Sequence, residues 1–368
     1  MSKSNKRICF FNETLNAGGI ERVTLNLADE LVKRSFAVDL FVSKLTGEYI
    51  SQIPEGVKVF SGNGRVRNIL PFVRYLYSQK PEVLITAHIH ISIISIIVSK
   101  LLRLPSTVVV VVHVHSSQAN KTNNYLRAFI MRNMAKFSYP LADRVVAVSE
   151  ASADDLSHFI DYPRDKIDVI YNPVVTQKLF SAAKEKLNHS WFNTSDVPVI
   201  LSAGRLAKQK DFHTLIRAFA IVRKSVNAKL VILGEGEERC SLEQLILQLE
   251  IEQDVDLAGY KENPYAYMAR ASVFVLSSIW EGLPTVLIES LALGLPLVAT
   301  DCPGGSREIL NDGKYGVLVP VGNFKLMAEA ILKVLKKSPD KEVLINRGME
   351  YSIQKSADRY CKLLNLGE

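Results

Sequence analysis

Cysteine is scarce in this chain, and its apolar runs are short. The four cysteines among 368 residues lie far apart and show no paired spacing, which argues against a disulfide framework or a zinc site. The apolar run after the basic first residues covers only 8–11, which is too short for a signal peptide. The longest apolar stretch, 89–98, contains His and Ser and is shorter than the roughly 20 residues that span a bilayer as a helix. These absences favour a protein of the reducing cytoplasm.

Low-complexity segments and short-period repeats are absent as well. Hydrophobic residues make up 48% of the chain and charged residues 23%, a balance typical of folded globular proteins. A length of 368 residues exceeds what one ordinary core uses and is sufficient for two. The composition therefore predicts a folded protein with two domains.

Acidic residues are rare in one part of the chain. Residues 1–180 contain 22 Lys and Arg against 15 Asp and Glu, whereas the remainder contains 23 of each kind. Between residues 65 and 136, ten basic residues accompany a single acid, Glu82. A basic face of this kind attracts phosphate-rich partners, either nucleic acid or an anionic membrane, although a solvated surface that aids solubility gives the same pattern.

Short apolar runs alternate with amphipathic segments along the whole chain. The runs are rich in Val, Ile and Phe, as buried parallel strands are, and helix-like segments separate several of them. The alternation occurs twice, on either side of a polar connector at 176–196, and predicts two doubly wound α/β domains with parallel sheets. The predicted strands are 8–11, 37–42, 83–86, 107–112 and 144–148, then 198–202, 229–233, 254–257, 273–276 and 296–300.

Ligands of such sheets bind beyond the carboxyl ends of the strands. We therefore expect functional residues just after the strands, in a cleft between the two domains. Gly18 and Gly19 follow the first strand and open a helix, where close backbone approach and free N–H groups favour an anion. The pair lacks the full G-x-G-x-x-G spacing of dinucleotide sites, and a tight turn explains it as well.

Basic residues follow the first strand of the second domain. Arg205 comes directly after Gly204, and Lys208 and Lys210 come shortly afterwards. Two cations at a strand end can hold a diphosphate without a metal. Either cation could instead be an ordinary surface charge.

The most specific pattern is the run Glu281, Gly282, Leu283, Pro284 and Thr285, followed by Glu289. Pro284 suits the first turn of a helix that ends at 294. The start of this helix would direct backbone donors and the Thr285 hydroxyl at a phosphate, and Glu289 could accept hydrogen bonds from ribose hydroxyls. Glu281 could reach a sugar. The alternative interpretation is a helix-capping acid and a solvated Glu.

Three weaker features complete the candidates. The segment 301–308 is a second glycine-rich turn after a predicted strand. His115, after the strand 107–112, is the candidate for a polar group that reaches the reaction centre from the first domain, and His113 competes with it. Asp254 and Asp256 match a D-x-D metal-binding pattern, but they lie within a predicted strand and are interpreted as structural.

Together these positions resemble retaining glycosyltransferase family 4, which has the GT-B fold of two Rossmann-like domains facing an interdomain cleft. The resemblance covers nearly the whole chain. It rests on an E-x7-E element (Glu281 and Glu289), a GR…K element (Arg205 and Lys210), the N-terminal Gly-Gly loop and an Asn-Pro-Val sequence at 172–174. The run 259–310 is similar to bacterial members that build surface polysaccharides and lipid-linked oligosaccharides.

The resemblance implies the domains, the reaction and the role of each residue. The first domain would cover 1–180 and bind the acceptor, the second would cover 181–349 and bind the nucleotide sugar, and a C-terminal helix at 350–368 would join the first. Transfer would retain the anomeric configuration by a front-face mechanism and need no metal or other cofactor. Arg205 and Lys210, which spacing favours over Lys208, would neutralise the leaving diphosphate. Glu281 and His115 would contact the donor sugar. The other donor-binding residues would be Gly18, Gly19, Gly204, Gly282, Leu283, Pro284, Thr285 and Glu289.

The expected donor is a UDP-linked hexose or N-acetylhexosamine, and the expected acceptor is a glycan or a lipid-linked glycan. The basic span 65–136 would hold the protein on the inner face of the cytoplasmic membrane, against anionic lipid rather than nucleic acid. Two rival functions use the same features in part. A UDP-sugar epimerase has a similar layout but needs an acid/base set and no acceptor. A nucleic-acid-binding protein would use the basic face but would leave Glu281, Glu289 and both glycine loops unexplained.

Overall fold

The computed structural model describes residues 6–16, 18–62, 69–113, 125–192 and 197–366, and of 125–128 the backbone alone. Within these ranges the chain forms two compact units, each built on a parallel sheet. The predicted α/β class with two doubly wound domains is therefore confirmed.

The strands of the described residues are β1 (Arg7–Asn12), β2 (Ala37–Val42), β3 (Lys58–Ser61), β4 (Val83–Thr86), β5 (Thr107–Val112), β6 (Arg144–Ala147), β7 (Ile167–Val169), β8 (Val199–Ala203), β9 (Lys229–Leu233), β10 (Val255–Gly259), β11 (Val273–Leu276), β12 (Leu297–Thr300) and β13 (Val317–Val319). The helices are α1 (Gly19–Lys33), α2 (Ile69–Gln79), α3 (Ile89–Leu101), α4 (Tyr125–Ser138), α5 (Glu150–Ile160), α6 (Gln177–Ala183), α7 (Phe212–Ser225), α8 (Arg239–Gln248), α9 (Tyr265–Met268), α10 (Thr285–Ala292), α11 (Ser306–Ile309), α12 (Phe324–Lys336), α13 (Lys341–Gly348) and α14 (Ile353–Leu363).

The first unit contains the chain up to Val174 and again from Ile353 onward. Its seven strands lie in the order β3-β2-β1-β4-β5-β6-β7, with parallel neighbours. Three successive valines of β5, at 108, 109 and 110, are each 0% exposed. Because successive side chains of a strand point to opposite faces, this burial shows that both faces of the sheet are covered at β5.

The second unit runs from Val175 to Ser352. Its six strands lie in the order β10-β9-β8-β11-β12-β13, and all neighbours are parallel. Its core combines the inward side chains of these strands with α7 and α12 on one side, including the fully buried Phe219 and Ile331. Helix α7 begins at an N-cap, Asp211, whose carboxylate accepts from the Thr214 backbone N–H and hydroxyl.

Helix α6 occupies the first residues of the segment 176–196, for which the sequence predicted a polar connector. The Asn263 side-chain amide donates to the Ala182 carbonyl at 2.9 Å, and Arg270 donates to the Ala183 carbonyl at 3.2 Å. These bonds hold α6 within the second unit, so the division falls after Val174 and not at 180, where the sequence placed it.

The last helix of the described chain, α14, packs on α1 of the first unit. Arg34, at the end of α1, pairs with Asp358 at 2.6 Å, and the Ser356 hydroxyl donates to the Tyr171 carbonyl at 2.7 Å. Tyr360 is buried beneath the helix. The chain therefore passes from the first unit to the second after Val174 and returns after Ser352.

All four cysteines are free, as their spacing predicted. In the parts of the chain that the structure describes, no helix combines the length and the apolar character that crossing a membrane requires.

Candidate functional site

The predicted residues of the second unit gather where its strand order reverses. Strand β8 continues to β9 on one side, whereas its other neighbour, β11, continues to β12 on the opposite side. Loops leave such a pair of strands in opposite directions and open a crevice at the carboxyl ends, where ligands of α/β sheets bind. Arg205 and Lys210 follow β8, and Glu281 follows β11.

Lys210 and Glu281 form an ion pair in this crevice. The Lys210 Nζ atom lies 2.6 Å from Glu281 Oε1, and the Ser278 hydroxyl donates to the same oxygen at 2.6 Å. Glu281 is buried, and Lys210 keeps 19% of its side chain exposed. The pairing distinguishes Lys210 from Lys208, whose side chain is exposed. It also shows that the Lys210 charge is balanced in part by a buried carboxylate.

Arg205 contrasts with Lys210. Its side chain is exposed and makes no hydrogen bond or ion pair with another described residue. A guanidinium in this state keeps all its donors available for a bidentate contact with a phosphate. Of the two predicted diphosphate ligands, Arg205 is the one that has no ion-pair partner among the described residues.

Hydrogen bonds fasten the loops after β8 and β11 to each other. The Ile279 N–H donates to the Gln209 carbonyl at 2.8 Å, and the Gln209 side-chain amide donates to the Trp280 carbonyl at 2.8 Å. The Ser277 hydroxyl donates to the Lys210 carbonyl at 2.7 Å. The two loops are therefore held together by hydrogen bonds to main-chain carbonyls as well as by the ion pair.

The glycine-rich turn at 301–308 is bound to the loop that carries Glu281. The Glu281 N–H donates to the Pro303 carbonyl at 2.9 Å, and the Gly305 N–H donates to the Gly282 carbonyl at 2.7 Å. Gly304 has a φ of +125°, and a Cβ there would clash with the backbone carbonyl of Glu281. Only glycine permits this close approach.

The helix predicted after Glu281 is present and slightly shorter than expected. Thr285 is the first residue of α10, and Pro284 precedes it as the N-cap residue rather than lying within the first turn. Gly294, with a φ of +70°, follows the end of the helix, as predicted. Leu283 and Pro284 are buried, and Thr285 is half-buried at the helix start.

Glu289 lies one turn into α10 and is only 2% exposed. The Tyr265 hydroxyl donates to its Oε1 atom at 3.2 Å. The solvated alternative weighed for this Glu is therefore wrong, because the side chain is buried and hydrogen-bonded. The sequence did not indicate Tyr265, which lies 24 positions away in α9.

The strand order of the first unit also reverses, between β1 and β4. Gly18 is the N-cap residue of α1 and is half-buried, and Gly19 is exposed. A Cβ at Gly18 would clash with the Glu21 carboxylate, whereas a Cβ at Gly19 would meet nothing within 4 Å. A side chain at 18 would therefore require the Glu21 carboxylate to move, but the described residues give no steric reason for the glycine at 19.

Two histidines that the sequence analysis passed over follow β4 at the same reversal. His88 Nε2 lies 3.6 Å from Glu21 Oε1, and His90 Nε2 lies 3.3 Å from Glu13 Oε2. The rule that selected the other candidates, position just after a strand, would have found both.

His113 directly follows β5 and lines a pocket of about 210 Å³ together with His88 and His90. Burial lowers the pKa of His113 to about 3, and the neighbouring His88 acts in the same direction. The ring is therefore neutral near pH 7. The other candidate, His115, lies outside the described residues.

The D-x-D pair has structural partners. Asp254 accepts hydrogen bonds from Arg223 Nε and Lys229 Nζ, both at 2.6 Å, and Asp256 lies 3.0 Å from His189 Nε2. Across the described residues, no three His, Cys, Asp or Glu side chains are grouped so that they could hold a metal ion. Whether the reaction needs a metal remains a prediction from the family resemblance.

Comparisons with known proteins identify the family of the chain. Residues 17–178 match the family described as Glycosyltransferase Family 4, and residues 183–351 match Glycosyl transferases group 1. The lipopolysaccharide core biosynthesis glycosyltransferase LpsE of Rhizobium meliloti is 31% identical over 66% of this chain and 71% of its own.

A second relative acts on a lipid-linked glycan according to its name. It is the N-acetylgalactosamine-N,N'-diacetylbacillosaminyl-diphospho-undecaprenol 4-alpha-N-acetylgalactosaminyltransferase of Campylobacter jejuni, 35% identical over 58% of this chain. The present chain spans 56% of that enzyme's length.

Among solved structures, Anabaena Alr3699/HepE in complex with UDP superposes with a TM-score of 0.78 at 19% identity, over 98% of this chain and 99% of its own. This likeness shows the fold, and the structural neighbours are GT-B glycosyltransferases. The two family matches and the likeness to LpsE show that the chain is a glycosyltransferase, with a family 4 region at 17–178 and a group 1 region at 183–351.

Proposed function

We propose that this chain is a retaining, metal-independent glycosyltransferase. It transfers a hexose or an N-acetylhexosamine from UDP to a lipid-linked or membrane-associated glycan, in the synthesis of cell-surface polysaccharide or lipopolysaccharide. The names of LpsE and of the Campylobacter enzyme support the acceptor class, and the UDP in HepE supports the nucleotide. Family membership favours this function over the epimerase.

The observation that carries the proposal is the arrangement at the strand ends of β8 and β11. Arg205 offers a guanidinium that no described residue pairs with, and Lys210 offers an ammonium that is hydrogen-bonded to Glu281. Two cations placed there can stabilise a diphosphate as negative charge develops on it. Glu289, buried beside Tyr265, would accept from the ribose, and Thr285 with the first amides of α10 would face a phosphate.

In the proposed reaction, the bond between the sugar C1 atom and the phosphate oxygen breaks while the acceptor oxygen bonds to C1 on the same face. The acceptor proton passes to the departing phosphate oxygen, and UDP leaves. Glu281 Oε1 already receives hydrogen bonds from Lys210 and Ser278, which suits a carboxylate that positions the sugar and not one that attacks it. His113, neutral near pH 7, could donate or accept a hydrogen bond to the sugar without adding a charge.

Thermal unfolding with UDP-, GDP- and ADP-sugars tests the proposal, first in EDTA and then with Mg²⁺. We expect a saturable rise in Tm with a UDP-sugar in EDTA; at a donor concentration of about 100 times Kd the stabilisation is about 2.7 kcal/mol. Arg205→Ala should abolish the rise, whereas Arg217→Ala, an exposed Arg on α7, should leave it unchanged. The absence of a shift with every donor in both conditions would overturn the proposed function.

Membrane association is the second part of the proposal. The basic span 65–136 would hold the protein peripherally on the inner face of the cytoplasmic membrane, where a lipid-linked acceptor lies. Cosedimentation with anionic vesicles at low salt measures it, and a protein that stays in the supernatant contradicts it.

A further inference from the structure

Helices α3 and α4 of the first unit are neighbours, and both carry large apolar side chains that are exposed to solvent. Phe129 and Phe137 of α4 are 62% and 73% exposed, and Leu101 at the end of α3 is 77% exposed. Ile97 of α3, Ile130 and Met134 of α4, and Leu141 beyond α4 are also exposed. Helices of globular domains normally keep such side chains on the face that meets the core.

All of these side chains except Leu101 line an apolar groove of about 470 Å³ between α3 and α4. Its floor includes Ile93, which is buried, and its walls include Ile97, Phe129 and Phe137. Among the described residues that line it, only Asn133 and Ser138 are polar. Helix α4 meets the core through a different face, which carries the fully buried Ala135. The packing of the unit therefore does not require these exposed side chains to be apolar. An exposed apolar surface of this kind marks a binding face.

The Lys and Arg residues of α3 and α4 give both helices a positive charge beside the groove. The sequences of α3 and α4 contain no acid, and they carry Lys100, Arg127, Arg132 and Lys136. Lys100 pairs with Asp143 at 3.0 Å and Lys136 with Asp161 at 3.1 Å, both on neighbouring segments. Arg103, just after α3, is exposed. Long basic side chains beside an apolar surface can keep their charges at the level of lipid headgroups while their stems contact hydrocarbon.

We propose that α3 and α4 insert the rims of this groove into the hydrocarbon of an anionic bilayer. The inference rests on the membrane association proposed above and assigns it a specific, apolar surface. A bilayer covers Ile97, Phe129 and Phe137 at once, whereas a single lipid chain lying in the groove would leave their outer surfaces in water. A second copy of this chain would bring two basic faces together, which like-charge repulsion opposes.

The test is cosedimentation with vesicles of mixed zwitterionic and anionic phospholipid, at about 0.1 M and about 1 M salt. At about 1 M salt the screening length falls to about 3 Å, so attraction between surface charges is largely removed and apolar insertion remains. We expect the wild type to stay bound in part at high salt. The double change Phe129→Ser and Phe137→Ser should weaken this salt-resistant binding by at least about tenfold.

The matched control replaces two exposed apolar side chains of the second unit, Leu247→Ser and Tyr260→Ser. It should bind vesicles like the wild type. Both double variants should keep the rise in Tm with a UDP-sugar, so a failed insertion test is distinguishable from a failed transferase. Vesicle binding that high salt abolishes completely would overturn the proposal.

Two other results would also overturn it. One is a dimer in solution without lipid that dissociates in the Phe129→Ser and Phe137→Ser variant. The other is binding of a soluble single-chain alkyl phosphate at the groove with no binding to vesicles.

Discussion

Lys208 and Lys210 are neighbours in sequence but have different surroundings. Lys210 balances the buried Glu281, whereas Lys208 is exposed. We expect Lys210→Met to lower the free energy of unfolding of the second unit by about 2 kcal/mol, because it leaves a buried carboxylate without its cation. Lys208→Met should change it by less than about 0.5 kcal/mol. Both tryptophans, Trp191 and Trp280, lie in the second unit, so urea unfolding followed by fluorescence measures it directly.

The same pair supplies an internal check. Adding Glu281→Gln to Lys210→Met removes the uncompensated charge and should recover part of the loss. Equal destabilisation by the single and the double variant would show that the ion pair is not what Lys210 contributes.

His113 makes the stability of the first unit depend on pH. Burial lowers its folded-state pKa to about 3 from an ordinary value of 6.5, so between these values the unfolded chain binds a proton that the folded chain does not. The contribution of this pKa difference to the free energy of unfolding is complete above pH 6.5 and is lost as pH falls toward 3. In His113→Gln this loss is absent, so the stability of the wild type should fall relative to the variant across that window.

Urea unfolding followed by circular dichroism across this window measures the difference. His158→Gln, at an exposed position of the same unit, controls for the removal of an imidazole. A constant difference between wild type and His113→Gln at all pH values would contradict the assignment.

At the scale of elements, the turn at Gly304 fixes where Glu281 lies. Gly304→Ala requires both an unfavourable φ and a shift of the Glu281 carbonyl, and we expect a loss of more than about 2 kcal/mol. Gly322→Ala is the control, because its φ of +74° is also positive but its Cβ would meet nothing within 4 Å. It should cost about 1 kcal/mol. Fluorescence-monitored unfolding distinguishes the two, and equal losses would show that φ alone matters.

The strands that the sequence did not predict lie at sheet edges. β3 and β7 are the two edges of the seven-stranded sheet, and β13 is one edge of the six-stranded sheet. They are three or four residues long, and the side chains of β3 are mostly exposed. A strand with a neighbour on one side only needs no continuous apolar run, which was the signal used for prediction. Strand β10, also at an edge, was predictable because Val255 and Leu257 are apolar, and the structure shows both to be buried.

The site was predictable as a set of positions but not as a set of contacts. Strand ends pointed to Arg205, Lys210, Glu281 and Glu289. The bond between Lys210 and Glu281 joins residues 71 positions apart and depends on β8 and β11 being neighbours. Sequence periodicity carries no information on that order. For the same reason the sequence could not show that Tyr265 contacts Glu289.

At the scale of the whole molecule, α14 stabilises one unit and not the other. Tyr360→Ala removes a side chain that is 5% exposed and should lower the stability of the first unit by about 3 kcal/mol. Amide hydrogen exchange should accelerate in β1, β4 and α1, while the tryptophan fluorescence midpoint, which reports the second unit, stays unchanged. Lys362→Ala, an exposed change on the same helix, is the control. An equal shift of both readouts would show that the two units unfold together.

Because the chain returns to the first unit after Ser352, the order of translation also determines which unit can be completed first. The second unit is one continuous segment, Val175–Ser352, so its last strand is translated before α14. Helix α1 is made early, yet its partner α14 is made only after the entire second unit. Although domains generally fold in the order of their synthesis, the unit whose strands are translated first is here completed last. Until then, the surface of α1 that α14 covers is open to water and to chaperones of the nascent chain.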